Sequence, residues 1–222
     1  MKTKAFLLMT AATLATATAQ VPVIESVTLT VPPGFCLLAN HLDHAGGNTL
    51  NAVLPNVPEG SQVLKFANNH YTRDDFSIED GGWIDAETLE PSVRTASPGE
   101  GFFFYNPSSQ DLRLTFTGAV RQGVLSICFP PGFSLVGSPV PRPFFLNSTN
   151  GFPRFFEMQI LRYLRAGQPY GPGYTSMIVD NGVWMDDLTL SPVVRPIPVG
   201  EGFFIYTPGG TPRCWTFNFS VE

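Results

Sequence analysis

One unit is written twice along this chain. Residues 81–107 realign on residues 182–208 at a constant shift of 101, with 15 of 27 positions identical. The matches include Trp83 with Trp184, Asp85 with Asp186, Arg94 with Arg195, and Gly99-Glu100-Gly101-Phe102-Phe103 with Gly200-Glu201-Gly202-Phe203-Phe204. Farther upstream the shift is 98, where Pro32-Pro33-Gly34-Phe35 answers Pro130-Pro131-Gly132-Phe133. Self-similarity at this period means two copies of one structural unit. A residue kept at both of two symmetric positions is explained more simply by a shared folding requirement than by a single active site.

Each copy reads as a succession of short strands. A β-rich run leads into the Pro-Pro-Gly-Phe turn and straight out into a second strand. In the first copy, Leu50, Val53 and Leu54 suit one or two helical turns behind an Asn cap. Val63-Leu64-Lys65-Phe66 and Ile160-Leu161-Arg162-Tyr163 then open hairpins whose second strands reach Trp83 and Trp184. Each copy closes with Gly-Glu-Gly-Phe-Phe, a turn at 106–109 or 207–210, and a return strand at 112–116 or 213–217, the signature of a third hairpin. The expected fold is all-β with at most short helices. Two units of about 100 residues, 20–120 and 121–222, pack about a pseudo-twofold axis as a two-lobed sandwich or barrel.

Composition supports that class. Charged residues are 14% of the chain against about 25% in typical soluble domains, and Gly and Pro together number 42 of 222. With 19 Phe, the chain has apolar content enough to order itself. The N-terminus carries Lys2 and Lys4, an apolar run over 5–14, and Ala17-Thr18-Ala19. This reads as a signal peptide over 1–19 cleaved near Ala19, which makes the protein secreted or periplasmic. The apolar run is too short to span a bilayer, so no membrane span is expected. Without the leader the chain has 11 basic and 18 acidic residues, a net charge of −7 with no block of like charge. Nucleic acid and anionic membrane are therefore not the expected partners. An extracellular polysaccharide or a cell-surface protein remains.

Three cysteines are an odd count for an oxidising compartment, and none repeats between the copies. Cys36 faces Ser134 in the alignment, Cys128 faces Thr30, and Cys214 faces Arg113. The expectation is three buried thiols, the alternative a single Cys36–Cys128 bridge beside the equivalent turns.

Gly34 to Asn40, Gly47 to Asn51, Gly82 to Asp85 and Pro98 to Phe104 carry a family likeness. In that order they resemble duplicated β-modules of secreted proteins of the Verrucomicrobia and Planctomycetes, marked by Gly-Trp and Gly-Glu-Gly-Phe-Phe repeats. The resemblance covers nearly all of the chain after the leader. It implies a bacterial secreted β-module and carries no catalytic residue across.

Several constellations invite a chemical reading. Asp85 and Asp186 suggest two carboxylates meeting at the axis, but neither lies in the Asp-Thr/Ser-Gly turn of an aspartic protease, so turn capping is favoured. Glu100 and Glu201, each between two glycines, are expected to pair with Arg94 and Arg195. His41, Asp43 and His44 have ligand-like spacing, but no further ligand completes the set and the second copy lacks them, so no metal is expected. Trp83 and Trp184, with Tyr71, Tyr170 and Tyr174, are the tentative ligand-binding residues, as stacking platforms for sugar rings. The reading is a non-catalytic extracellular binding or structural module with no cofactor. A carbohydrate-binding module using Trp83 and Trp184 is the first alternative, and a hydrolase using Asp85, Glu100, Asp186 and Glu201 is the second.

Overall fold

Phe102-Phe103-Phe104 and Phe203-Phe204-Ile205 place three apolar residues in a row on a strand, where successive side chains point to opposite faces. Such a strand needs apolar cover on both sides. The computed structural model, which describes residues 22–165, 168 and 171–221, supplies it by layering each unit and then packing the units together. The proposed signal peptide and Tyr170 lie outside the described residues.

The first lobe comprises β1 (Ile24–Val31), β2 (Gly34–Ala39), helix α1 (Leu50–Val53), β3 (Gln62–Ala67), β4 (His70–Ser77), β5 (Gly82–Asp85), β6 (Gly101–Asn106) and β7 (Leu112–Ala119). The second repeats the strands: β8 (Gly123–Phe129), β9 (Gly132–Val136), β10 (Gln159–Leu164), β11 (Gly173–Asp180), β12 (Val183–Asp186), β13 (Phe203–Thr207) and β14 (Arg213–Phe219). Each lobe is a sandwich of a five-stranded antiparallel sheet, β2-β6-β3-β4-β5 or β9-β13-β10-β11-β12, and a two-stranded ribbon, β1-β7 or β8-β14. The duplication thus extends to every strand pairing.

Two local expectations are corrected. The closing hairpin does not form: β6 is already hydrogen-bonded on one side by β2 and on the other by β3, so it offers β7 no edge. β7 crosses instead to β1, in register from Ile24↔Ala119 to Val31↔Leu112. The helix α1 is a single turn whose N-cap is Thr49, not an asparagine. The Asn48 side chain turns back to the His44 N–H and the Asp43 carboxylate.

Three apolar clusters result. In the first lobe Val31, Leu114 and Phe116 of the ribbon pack on Val63, Phe76, Trp83, Phe102 and Phe104 of the sheet. The second lobe repeats this around Trp184, Ile160, Phe203 and Trp215. The opposite faces of the two large sheets meet through Leu37, Phe103, Leu135 and Phe204. Phe102 and Phe104 therefore point into their own lobe while Phe103 points at the other, which is why the apolar run is unbroken.

Cysteine pairing also differs from expectation. Cys128 is bridged to Cys214, and Cys36 is a buried free thiol. The two bridged residues lie directly opposite one another on β8 and β14, where the first lobe pairs Thr30 with Arg113. Neither Cys128 nor Cys214 is buried, so the bridge staples the solvent face of the ribbon. Such a bond suits an oxidising compartment.

Candidate functional site

The tryptophans are held for structural ends. Trp83 is 1% exposed and Trp184 0%. The backbone N–H of Trp83 donates to Asn51 Oδ1 at 2.8 Å, and its indole N–H to the Leu54 carbonyl at 2.9 Å. Trp184 repeats this with Asn147 Oδ1 at 2.8 Å and the Pro153 carbonyl at 3.2 Å. A stacking platform needs an open ring face, and these rings have none; a buried indole with its N–H satisfied is a core residue. The assignment of Trp83 and Trp184 as sugar platforms is corrected accordingly.

Tyr71 and Tyr174 come together instead. They occupy β4 and β11, far apart in sequence, and remain 40% and 46% exposed. Tyr71 packs at a tilt against Phe66 at 5.0 Å and Phe103 at 6.2 Å; Tyr174 meets Tyr163 at 5.6 Å and Phe204 at 6.1 Å. Across the lobes, Phe66 meets Phe204 at 5.3 Å and Phe103 meets Tyr163 at 5.3 Å, so six rings obey the pseudo-twofold. The Tyr71 and Tyr174 hydroxyls are neighbours across the lobes, close enough to influence each other's ionisation. Burial, then the neighbouring Tyr71 and Tyr163, pushes Tyr174 up to about 12, so it stays a neutral donor at any ordinary pH. Phe35, Leu64, Tyr71, Phe103, Tyr163 and Tyr174 line a shallow groove of about 230 Å³ drawn from both lobes.

The paired carboxylates are committed to local structure. Asp85 Oδ1 accepts the Glu87 and Thr88 N–H groups, and Asp186 Oδ1 those of Leu188 and Thr189. These backbone donors lead the effects that hold both carboxyls below the usual range. Both residues end the edge strands β5 and β12, so they do not meet at the axis. Glu100 pairs with Lys65 at 2.7 Å rather than with Arg94, and Glu201 with Arg162 rather than with Arg195. Lys65 and Arg162 are equivalent positions of β3 and β10, which reach the Gly-Glu-Gly turn from beneath. Arg94 instead bridges Asp74 and Asp85, each at 2.7 Å.

The Gly-Glu-Gly turns are the joint between the lobes. The Ala39 N–H donates to the Gly200 carbonyl at 2.9 Å, and its counterpart, the Gly137 N–H, to the Gly99 carbonyl at 3.0 Å. A Cβ on Gly101 would lie 2.8 Å from the Val136 backbone, and one on Gly202 would collide with the Leu38 carbonyl. Glycine is required at these positions because two backbones meet there.

His41, raised above as a metal ligand, locks the same joint. Buried, it donates from Nδ1 to the Ser138 carbonyl, and its Nε2 accepts the Gly200 N–H. His44 lies in an exposed turn and Asp43 pairs with Arg121. Among the described residues no cluster of three His, Cys, Asp or Glu is placed to hold a metal. Burial pushes His41 down to about 4 from its ordinary 6.5. Between pH 6.5 and 4 the unfolded chain therefore takes up a proton that the folded chain refuses, and stability falls as pH drops across that window. The loss is about 3 kcal/mol by pH 4, with no further contribution from this group below it. Carboxyls held below the usual range, such as Asp85 and Asp186, titrate beneath the window. Urea unfolding at pH 7 and pH 4.5 checks this: His41→Gln is expected to flatten the difference, and an unchanged pH dependence would refute the assignment.

Comparison with known proteins finds no matching family model, no similar curated protein and no similar solved structure. The groove residues that sequence reasoning missed are Phe35, Leu64, Phe103 and Tyr163. Their signal was the unbroken apolar run in β6 and the alternation of β3 and β10, where Leu64 and Phe66, or Leu161 and Tyr163, face away from the lobe core.

Proposed function

We propose that this protein is an extracellular, non-catalytic binding module that takes a saccharide on the aromatic groove at its lobe junction. The observation that carries the reading is the Tyr71–Tyr174 pair: two half-exposed rings, one from each lobe, with hydroxyls at their edges and no ionic group lining the groove. Aromatics with a polar edge offer flat apolar area to the carbon face of a sugar ring and hydrogen-bonding groups to its hydroxyls. At about 230 Å³ the groove is smaller than the ~300–1,000 Å³ of enclosing small-molecule sites, which suits surface stacking on an extended chain. The resemblance to secreted bacterial β-modules and the Cys128–Cys214 bridge accord with an extracellular setting.

A hydrolase is the weaker reading. A general acid must stay protonated near neutral pH, which requires surroundings that raise its pKa. Asp85 and Asp186 are shifted the other way, and Glu100 and Glu201 are ion-paired.

Retention on insoluble polysaccharides and on a soluble glycan array tests the proposal. Tyr71→Ala and Tyr174→Ala are each expected to weaken retention by roughly tenfold, as loss of about one stacking contact implies. Their unfolding midpoints should stay near that of the parent. Undiminished retention in both variants, or none by the parent on any glycan, would sink the reading.

A further inference from the structure

We propose that the second lobe holds a separate binding site for a small sugar acid, in the groove between the β10–β11 face and the segment 189–195. The argument rests on comparing the lobes at equivalent positions. In the first lobe Arg94 is saturated by two carboxylates, Asp74 and Asp85, which stand opposite each other on β4 and β5. The same register in the second lobe pairs Met177 with Asp186. The carboxylate of Asp74 is thus replaced by a thioether, while Asp186 is engaged by the backbone of its own turn. Arg195, the counterpart of Arg94, makes no ion pair among the described residues and is exposed.

Where Arg94 of the first lobe is held by two carboxylates, the second lobe has a groove of about 450 Å³, lined in part by Arg195, Arg162, Met177, Thr175 and Ser191. That volume lies within the range of small-molecule sites.

Charge bookkeeping identifies the ligand class. The first lobe sets two cations, Lys65 and Arg94, against three carboxylates, Asp74, Asp85 and Glu100. The second sets two cations, Arg162 and Arg195, against two carboxylates, Asp186 and Glu201. A ligand carboxylate restores the balance of the first lobe. There Asp74 and Asp85 share one guanidinium, so a ligand carboxylate on Arg195 takes the place that Asp74 holds on Arg94. A planar guanidinium suits a carboxylate in two-pronged contact. The remainder of the ligand meets Met177 and Val193 below and the hydroxyls of Thr175, Thr189 and Ser191 at the rim. The Thr189 and Ser191 hydroxyls donate within their own turn, to Asp186 Oδ1 and to the Thr189 carbonyl, and keep lone pairs that can accept from ligand hydroxyls; with Thr175 and the Asp186 carboxylate they match a polyhydroxylated acid better than a hydrocarbon one.

Calorimetric titration of the protein with glucuronate tests the site. Glucose serves as the neutral counterpart, and N-acetylalanine as a carboxylate of peptide origin. Glucuronate should bind saturably and at least about tenfold more tightly than either, and Arg195→Gln should abolish that advantage. Because Arg195 is exposed, this variant should keep the parental unfolding midpoint. Tyr71→Ala and Tyr174→Ala should leave glucuronate binding unchanged, which separates this site from the junction groove. No saturable glucuronate binding, equal binding of glucose, equal or tighter binding of N-acetylalanine, or unaltered glucuronate affinity in Arg195→Gln would each overturn the proposal.

Discussion

Trp83→Ala and Trp184→Ala are each expected to remove about 3–5 kcal/mol of stability, a large share of the ~5–15 kcal/mol that holds a typical protein folded. Each indole fills the centre of its lobe. Trp83 packs on Phe76 at 5.5 Å, and Trp184 on Phe152 at 5.9 Å. Truncation leaves a cavity and also strips the Leu54 or Pro153 carbonyl of its indole donor. Urea unfolding of the two variants measures the effect. A midpoint equal to the parent's in either would show that the indole is not a core element, and would return it to consideration as a ligand platform. The consequence for binding studies is direct. Loss of retention in a tryptophan variant reports unfolding, whereas loss in a tyrosine variant reports the groove.

The double variant Gly101→Ala/Gly202→Ala should strike the joint instead of the cores. Each added methyl meets the partner lobe's backbone, at Val136 or Leu38, and backbone in a paired strand has little room to yield. Overpacking of this kind costs about 1–3 kcal/mol per site. The pair is thus expected to lower stability by roughly 4 kcal/mol, or on the order of 10 °C in melting temperature for a chain of this size. Gly210→Ala is the control, since a Cβ there meets nothing within 4 Å. Equal melting temperatures for the double variant and the control would refute the interlobe role of the Gly-Glu-Gly turns.

How far the site could be read in advance depended on the kind of interaction. Tyr71 and Tyr174 drew notice as stacking residues near the tryptophans in sequence, but their convergence requires the two lobes to meet face to face. Asp85 and Asp186 were legible as turn caps because an Asx turn is local, spanning residues 85–88 and 186–189. The partners of Glu100 and Glu201 were misread, because Lys65 and Arg162 lie 35 and 39 residues away and arrive only through sheet pairing. Cys128–Cys214 was missed for the same reason. Its pairing follows from β7 and β14 returning to the first strand of their unit, yet the matched alignment positions, Thr30 and Arg113, already face each other in the first lobe.

By itself the sequence determined the duplication, the all-β class, the short strands and their turns, and the presence of two glycines around a glutamate at equivalent points. These depend on local periodicity, on turn chemistry and on repetition, all of which are carried by neighbouring residues. The tertiary structure alone decided which strand edge was free, which face of each sheet met the other lobe, and therefore which aromatics were buried and which were left open. It also decided that one arginine of a duplicated pair, Arg94, would be saturated and that Arg195 would have no ion pair among the described residues. Such outcomes turn on contacts between residues far apart in the chain, where a single exchange, Asp74 in one lobe for Met177 in the other, removes the buried carboxylate partner of an arginine.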